Sequence, residues 1–161
     1  MKSQISTLFS ENKNHEHDTL HYKGSYKSVL YLSMVIHLSK KSILVVDDDN
    51  DIADLVKIAL QKYDCNVSKF NDPFMAMSYI KEHPFEFDAI LTDIRMPGMN
   101  GIELITKVNE INPKVKAFLM TAFEIDTIKP QIDSLDMEIV EIFQKPISIV
   151  NLSHKITSIL K

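Results

Sequence analysis

Asp47, Asp48, Asp93, Thr121 and Lys145 stand at or beside the ends of short apolar runs, in positions where their side chains could act together. A carboxylate such as Asp93 is a competent nucleophile toward phosphorus and forms an acyl phosphate. Phosphoryl transfer asks mainly for positioning and for neutralisation of the charge on three phosphoryl oxygens. Lys145 supplies a positive point charge for that task, and Thr121 supplies a hydroxyl donor. Asp47 and Asp48 beside Asp93 would crowd like charges together, which is costly unless a hard divalent cation sits among them. Mg2+ suits such a set, because it takes one or two carboxylates and completes its shell with water and phosphate oxygens. On this reading Asp93, Lys145 and Thr121 carry the chemistry, and no motif calls for an organic cofactor.

Such distant residues converge only on a scaffold that aligns the ends of several strands. Ile43 to Val46 is an apolar, largely β-branched run ending in Asp47-Asp48-Asp49-Asn50, the pattern of a strand buried on both faces. Ile52, Leu55, Val56, Ala59, Leu60 and Tyr63 then fall at helical spacing and predict one apolar face. Val67 to Phe70 predicts a second strand. Asp72-Pro73 supplies an N-cap and first-turn proline to a helix reaching about His83. Phe87 to Thr92, Val115 to Met120 and Ile139 to Gln144 predict three more strands, with helices over Gly101 to Ile111 and Ile147 to Leu160. Between Phe123 and Met137, Pro130 predicts a short or distorted fourth helix. Five strand–helix units imply an α/β fold, a parallel sheet with helices on both faces. Ligands of such sheets bind at the carboxyl ends of the strands, where Asp47, Asp93, Thr121 and Lys145 fall.

A length of 161 residues suits one domain, read here as residues 41–161 after an N-terminal extension of residues 1–40. With 22 acidic and 18 basic residues, the formal charge of -4 gives no footprint for direct nucleic-acid binding. The single cysteine, Cys65, excludes an intramolecular disulfide. Val29 to Leu38 is the longest apolar run, whereas a membrane span needs about 20 residues, and the polar first 28 residues do not resemble a secretory leader. A cytoplasmic location is expected. His15, His17 and His21 lie in that polar arm and are read as solvated, and Met34 is a candidate alternative start.

Val45-Val46-Asp47-Asp48-Asp49, Asp93 with Met96-Pro97-Gly98-Met99-Asn100-Gly101, Thr121-Ala122 and Lys145-Pro146, taken in order, resemble the receiver domains of response regulators in two-component signalling. The resemblance implies a doubly wound, flavodoxin-like sheet of order 2-1-3-4-5. It implies that Asp93 is the phosphoacceptor, that Asp48 and Asp93 ligate Mg2+ directly, that Asp47 helps through water, and that the Arg95 backbone carbonyl completes the protein's share. A cis Lys145-Pro146 bond is implied as well. The phosphoryl donor would be a sensor histidine kinase or a phosphotransfer protein. The domain would catalyse its own phosphorylation and dephosphorylation rather than turn over an external substrate. With no sequence after Lys161 for an output module, a contact with a downstream protein is the expected output.

Several positions depart from the family pattern. Ile142 stands where receivers commonly carry a switching aromatic ring, and strand alternation turns the neighbouring Phe143 to the other face. Arg95 and Phe123, two residues after Asp93 and Thr121, occupy positions that in receivers flank the attacking water, and a bulky ring there is expected to hinder it. Two other readings compete. A haloacid-dehalogenase-like phosphatase would want Thr or Val where Asp51 stands. A phosphorylation-independent interaction module would have no use for the acidic site. The bland alternative for Asp47 to Asp49, that they merely cap a helix, leaves Asp93 and Lys145 without a role.

Overall fold

Ile43, Leu44, Val45 and Val46 have no polar face to offer water, and in the computed structural model all four are buried at the centre of the sheet. The structure describes residues 40–161; the extension, the Val29 to Leu38 run, Met34 and the histidines at 15, 17 and 21 lie outside the described residues. Strand and helix alternate throughout: β1 (Ser42–Val46), α1 (Asn50–Gln61), β2 (Asn66–Phe70), α2 (Pro73–Glu82), β3 (Ala89–Asp93), α3 (Gly101–Ile111), β4 (Lys116–Thr121), α4 (Ile125–Asp133), β5 (Ile139–Gln144) and α5 (Ile149–Ile159). All pairings are parallel, in the order β2-β1-β3-β4-β5. The doubly wound order expected from the resemblance is therefore the observed one. The chain turns one way from β1 to β2 and then returns to β3 on the other side of β1, which opens a crevice beyond their carboxyl ends.

Alternation along each strand feeds two cores. Leu44, Val46, Ile90 and Leu119 pack on one face against Ala76 and Ile80 of α2 and Leu104, Ile105 and Val108 of α3. Ile43, Val45, Leu91, Phe118 and Met120 pack on the other against Ala53, Val56 and Leu60 of α1 and Leu152 and Ile156 of α5. The buried stripe of α1 is narrower than its periodicity predicts, for Leu55 is 51% exposed on its flank. Tyr63 lies beyond the helix end, where the chain turns through Asp64 at φ 63°.

Local chemistry starts the helices. Asp49 caps α1 by accepting from the N–H groups of Asp51 and Ile52, and Asp72 caps α2 through Phe74 and Met75 ahead of the first-turn Pro73. Asn100 caps α3 by accepting from Glu103 N–H at 2.8 Å. The fourth helix is short, as its proline predicts: nine residues, Pro130 inside, and no side-chain cap at Glu124. In β5, Ile139 pairs with Ala117 but Glu141 pairs with Phe118, so Val140 is the extra residue of a bulge. Beyond it Glu141 reaches Lys155 of α5 at 3.2 Å, while Ile142 packs on the α2–α3 side. Phe143 faces the other way and stacks with Phe118, centroids 6.4 Å apart.

Candidate functional site

Asp47 follows β1 directly and is 0% exposed. Its N–H extends the ladder to Phe70 O at 3.2 Å, which holds its carboxylate at the sheet edge. Oδ1 accepts from Asp49 N–H at 3.0 Å, and Oδ2 accepts from Lys145 Nζ at 3.0 Å. Asp93 is the last residue of β3 and 6% exposed. Its Oδ1 lies 2.6 Å from Lys145 Nζ, and its Oδ2 accepts from Arg95 N–H at 2.6 Å. Lys145 follows β5, is anchored by its N–H to Thr121 O at 2.6 Å, and sends its side chain past β4 to the ends of β3 and β1. The Lys145-Pro146 peptide is cis.

Thr121 ends β4 at 1% exposure, with Oγ1 accepting from Phe123 N–H at 2.9 Å. Three site side chains thus make the same local turn, accepting from the N–H two residues ahead: Asp47 from Asp49, Asp93 from Arg95, Thr121 from Phe123. The chain between Asp93 and α3 is fitted as tightly. A Cβ on Gly101 would fall 2.1 Å from the Asp93 carbonyl oxygen, so only glycine lets α3 start against the end of β3.

Charge and burial oppose each other here. Burial pushes the Asp47 carboxyl above its ordinary range, against the pull of hydrogen bonds from Lys145 and Asp49 N–H, and the nearby Asp93 charge adds to the rise. Burial alone would lower the Lys145 ammonium. Its hydrogen bonds to Asp93 and Asp47 outweigh that and hold it above the usual lysine value, so it stays charged at neutral pH.

The structure therefore brings Asp47, Asp93 and Lys145 into direct contact. Asp48 is exposed beside Asp47, and among the described residues no group of three His, Cys, Asp or Glu side chains is gathered closely enough to hold a metal ion. The donor set nevertheless fits Mg2+. It consists of hard oxygens at one end of the sheet, the ligand type that Mg2+ takes alongside water and phosphate oxygens. The contact that sequence reasoning missed joins two loops. The Arg95 guanidinium carbon lies 4.4 Å from the centroid of the Phe123 ring. An exposed pair of this kind contributes about 0.5–1 kcal/mol. The matched offsets of Arg95 and Phe123 from Asp93 and Thr121, on adjacent parallel strands, are the one sequence signal from which it could have been found.

The chain as a whole resembles known proteins. Residues 43–157 match the family model described as the response regulator receiver domain. The chain is similar to the response regulator receiver protein CpdR of Brucella abortus, 33% identical over 74% of this chain and 97% of that protein. Among solved structures it resembles a CheY-like receiver domain protein from Methanospirillum hungatei, with TM-score 0.67 and 29% identity over 76% of this chain and 94% of the other. It also resembles TrrA of Thermotoga maritima, solved in complex with Mg2+-BeF, with TM-score 0.61 and 26% identity over 73% of this chain and 97% of the other. With the family model spanning most of the sequence, this chain belongs to the receiver domain family of two-component response regulators.

Proposed function

We propose that this protein is a phosphorylation switch in which Asp93 accepts a phosphoryl group from the phosphohistidine of a sensor histidine kinase or phosphotransfer protein. The observation that carries the reading is the buried Asp93 carboxylate at the end of β3, with the Lys145 ammonium 2.6 Å from one of its oxygens. An Asp93 oxygen forms the new P–O bond as the donor's P–N bond breaks, and the departing imidazole nitrogen takes up a proton. Lys145 neutralises charge on the phosphoryl oxygens, and the Thr121 hydroxyl donates to another of them. Asp48 and Asp93, with Asp47 and the Arg95 carbonyl, would hold Mg2+, which when bound supplies further positive charge to those oxygens.

Receiver domains are signalling switches rather than turnover enzymes on external substrates, and the same site here would catalyse both its own phosphorylation and its own dephosphorylation. The switch would occupy residues 41–161, with residues 1–40 as an extension, and would work in the cytoplasm; among the described residues no helix is long and apolar enough to cross a membrane. Its output would be a contact with a downstream protein rather than with nucleic acid, in keeping with the net charge of -4. Incubation with acetyl phosphate and Mg2+ should add one phosphoryl group by intact mass, and Asp93→Asn should abolish it. Undiminished labelling of that variant would overturn the assignment.

A further inference from the structure

We propose that Arg95 and Phe123 form a clasp over the site which phosphorylation of Asp93 opens. The inference rests on the phosphoacceptor reading of Asp93 and adds a device by which the chain registers that event. Its two halves lie on different loops, after β3 and after β4, and the guanidinium carbon sits 4.4 Å from the ring centroid. Each half is held at its backbone by a side chain of the site. Arg95 N–H donates to Asp93 Oδ2 at 2.6 Å, and Phe123 N–H donates to Thr121 Oγ1 at 2.9 Å. The groups that the reaction alters are thus the groups that position the clasp.

Phosphorylation weakens the Asp93 anchor and draws the Thr121 hydroxyl into a second bond. Whichever Asp93 oxygen takes the phosphoryl group, Oδ2 becomes either the bridging oxygen or a neutral acyl carbonyl, and each accepts more weakly than a carboxylate oxygen. The Thr121 hydroxyl has one hydrogen to give, and donating it to a phosphoryl oxygen ties the oxygen that holds Phe123 N–H to the reacting group. The guanidinium gains a competing partner at the same time. A phosphoryl group carrying nearly two charges attracts arginine through charge-assisted hydrogen bonds, roughly twice as strong as neutral ones, whereas a ring face offers only its quadrupole. Arg95 therefore leaves the ring for the phosphoryl group. Both residues line a pocket with Ile94, Met96, Ile102 and Gln131, so the wall of that pocket differs between the two states. Ile142 brings no ring to β5, and this clasp places an aromatic side chain under the control of Asp93 on another loop.

The sequence contains no tryptophan, so Phe123→Trp gives a single indole reporter on a ring type that stacks well with cations. Acrylamide quenching of its emission is measured with Mg2+ alone and with Mg2+ plus acetyl phosphate, and intact mass is recorded on the same samples. Phosphorylation should raise the quenching constant at least about twofold as the ring face exchanges its guanidinium cover for water. Arg95→Gln in the tryptophan background should show the raised value before any phosphodonor is added. In the unsubstituted chain, the Arg95 Nε–H resonance should move downfield on phosphorylation as it leaves the shielding ring. Samples shown by mass to be phosphorylated, but with unchanged quenching and an unmoved Arg95 resonance, would overturn the clasp and leave the phosphoacceptor intact. No added mass under any condition would overturn both.

Discussion

Lys145 Nζ lies 2.6 Å from Asp93 Oδ1 and 3.0 Å from Asp47 Oδ2, so one ammonium bridges carboxylates delivered by two different strands. Its removal leaves the fully buried Asp47 without a counter-charge. Losing one partner of a buried pair costs about 3–5 kcal/mol, and because Lys145 is itself 24% exposed we expect Lys145→Ala to cost about 2 kcal/mol. Urea denaturation checks this, and a change below half that size would show that water already screens the pair. Phosphorylation of Asp93 by acetyl phosphate should also slow by at least about tenfold.

The raised pKa of Asp47 has a definite sign for stability. A carboxyl that holds its proton more tightly in the fold than in the unfolded chain makes its largest contribution at low pH, and that contribution falls as pH rises through the folded pKa. At neutral pH the charged Asp47 is therefore a net burden in the metal-free protein. Asp47→Asn keeps an acceptor for Asp49 N–H and should melt higher than the parent in EDTA at pH 7. The gap should close as pH falls through the raised carboxyl pKa, and a variant that melts lower at pH 7 contradicts the assignment.

Mg2+ should stabilise the fold by mass action, by about 2.7 kcal/mol at a hundredfold excess over its dissociation constant. Asp48 is exposed and outside the lysine contact, so Asp48→Ala should alter the metal-free melting temperature little. The same substitution should remove most of the magnesium shift. Thermal melts of both proteins in EDTA and in millimolar Mg2+ decide, and a full shift in the variant would remove Asp48 from the ligand set.

Two glycines of the β3–α3 connection should differ in their tolerance of alanine. At Gly101 the new methyl meets the Asp93 carbonyl at 2.1 Å, a backbone atom that cannot move without shifting Asp93 itself. At Gly98 the conflict is with the Phe74 ring at 2.6 Å, a side chain that is half exposed and free to turn, plus the strain of φ +81°. We expect Gly98→Ala to cost about 1–2 kcal/mol. Gly101→Ala should cost more, about 3 kcal/mol, and should slow phosphorylation as well. Equal losses at the two positions would contradict the steric account.

Strand–helix alternation was legible because apolar runs such as Ile43 to Val46 are buried on both faces and bracketed by caps such as Asp49 and Asp72. The order of the strands came from the resemblance, since hydrophobic period says which residues face inward and not which strand lies beside which. The Asp47–Lys145 contact spans 98 positions, and only the shared sheet edge made it foreseeable. The bulge at Val140 was not legible, because it is a property of the pairing with β4 and leaves no mark in the composition of β5. The Arg95–Phe123 contact escaped for a similar reason: the two were paired by position as flanking the attacking water, and the stacking of one on the other depends on how two loops lean.

Because Asp47, Asp93 and Thr121 each fasten the loop that follows them, their alanine variants are poor controls for chemistry. Truncation at any of the three removes a candidate reactive group and unties a turn in one stroke, so lost signalling could not be credited to either. Asparagine at 47 and 93 and serine at 121 keep an oxygen for the waiting N–H while changing charge or bulk. Those near-isosteric replacements separate reactivity from loop architecture, and a genetic screen of this protein that relied on alanine alone would overcount its catalytic positions.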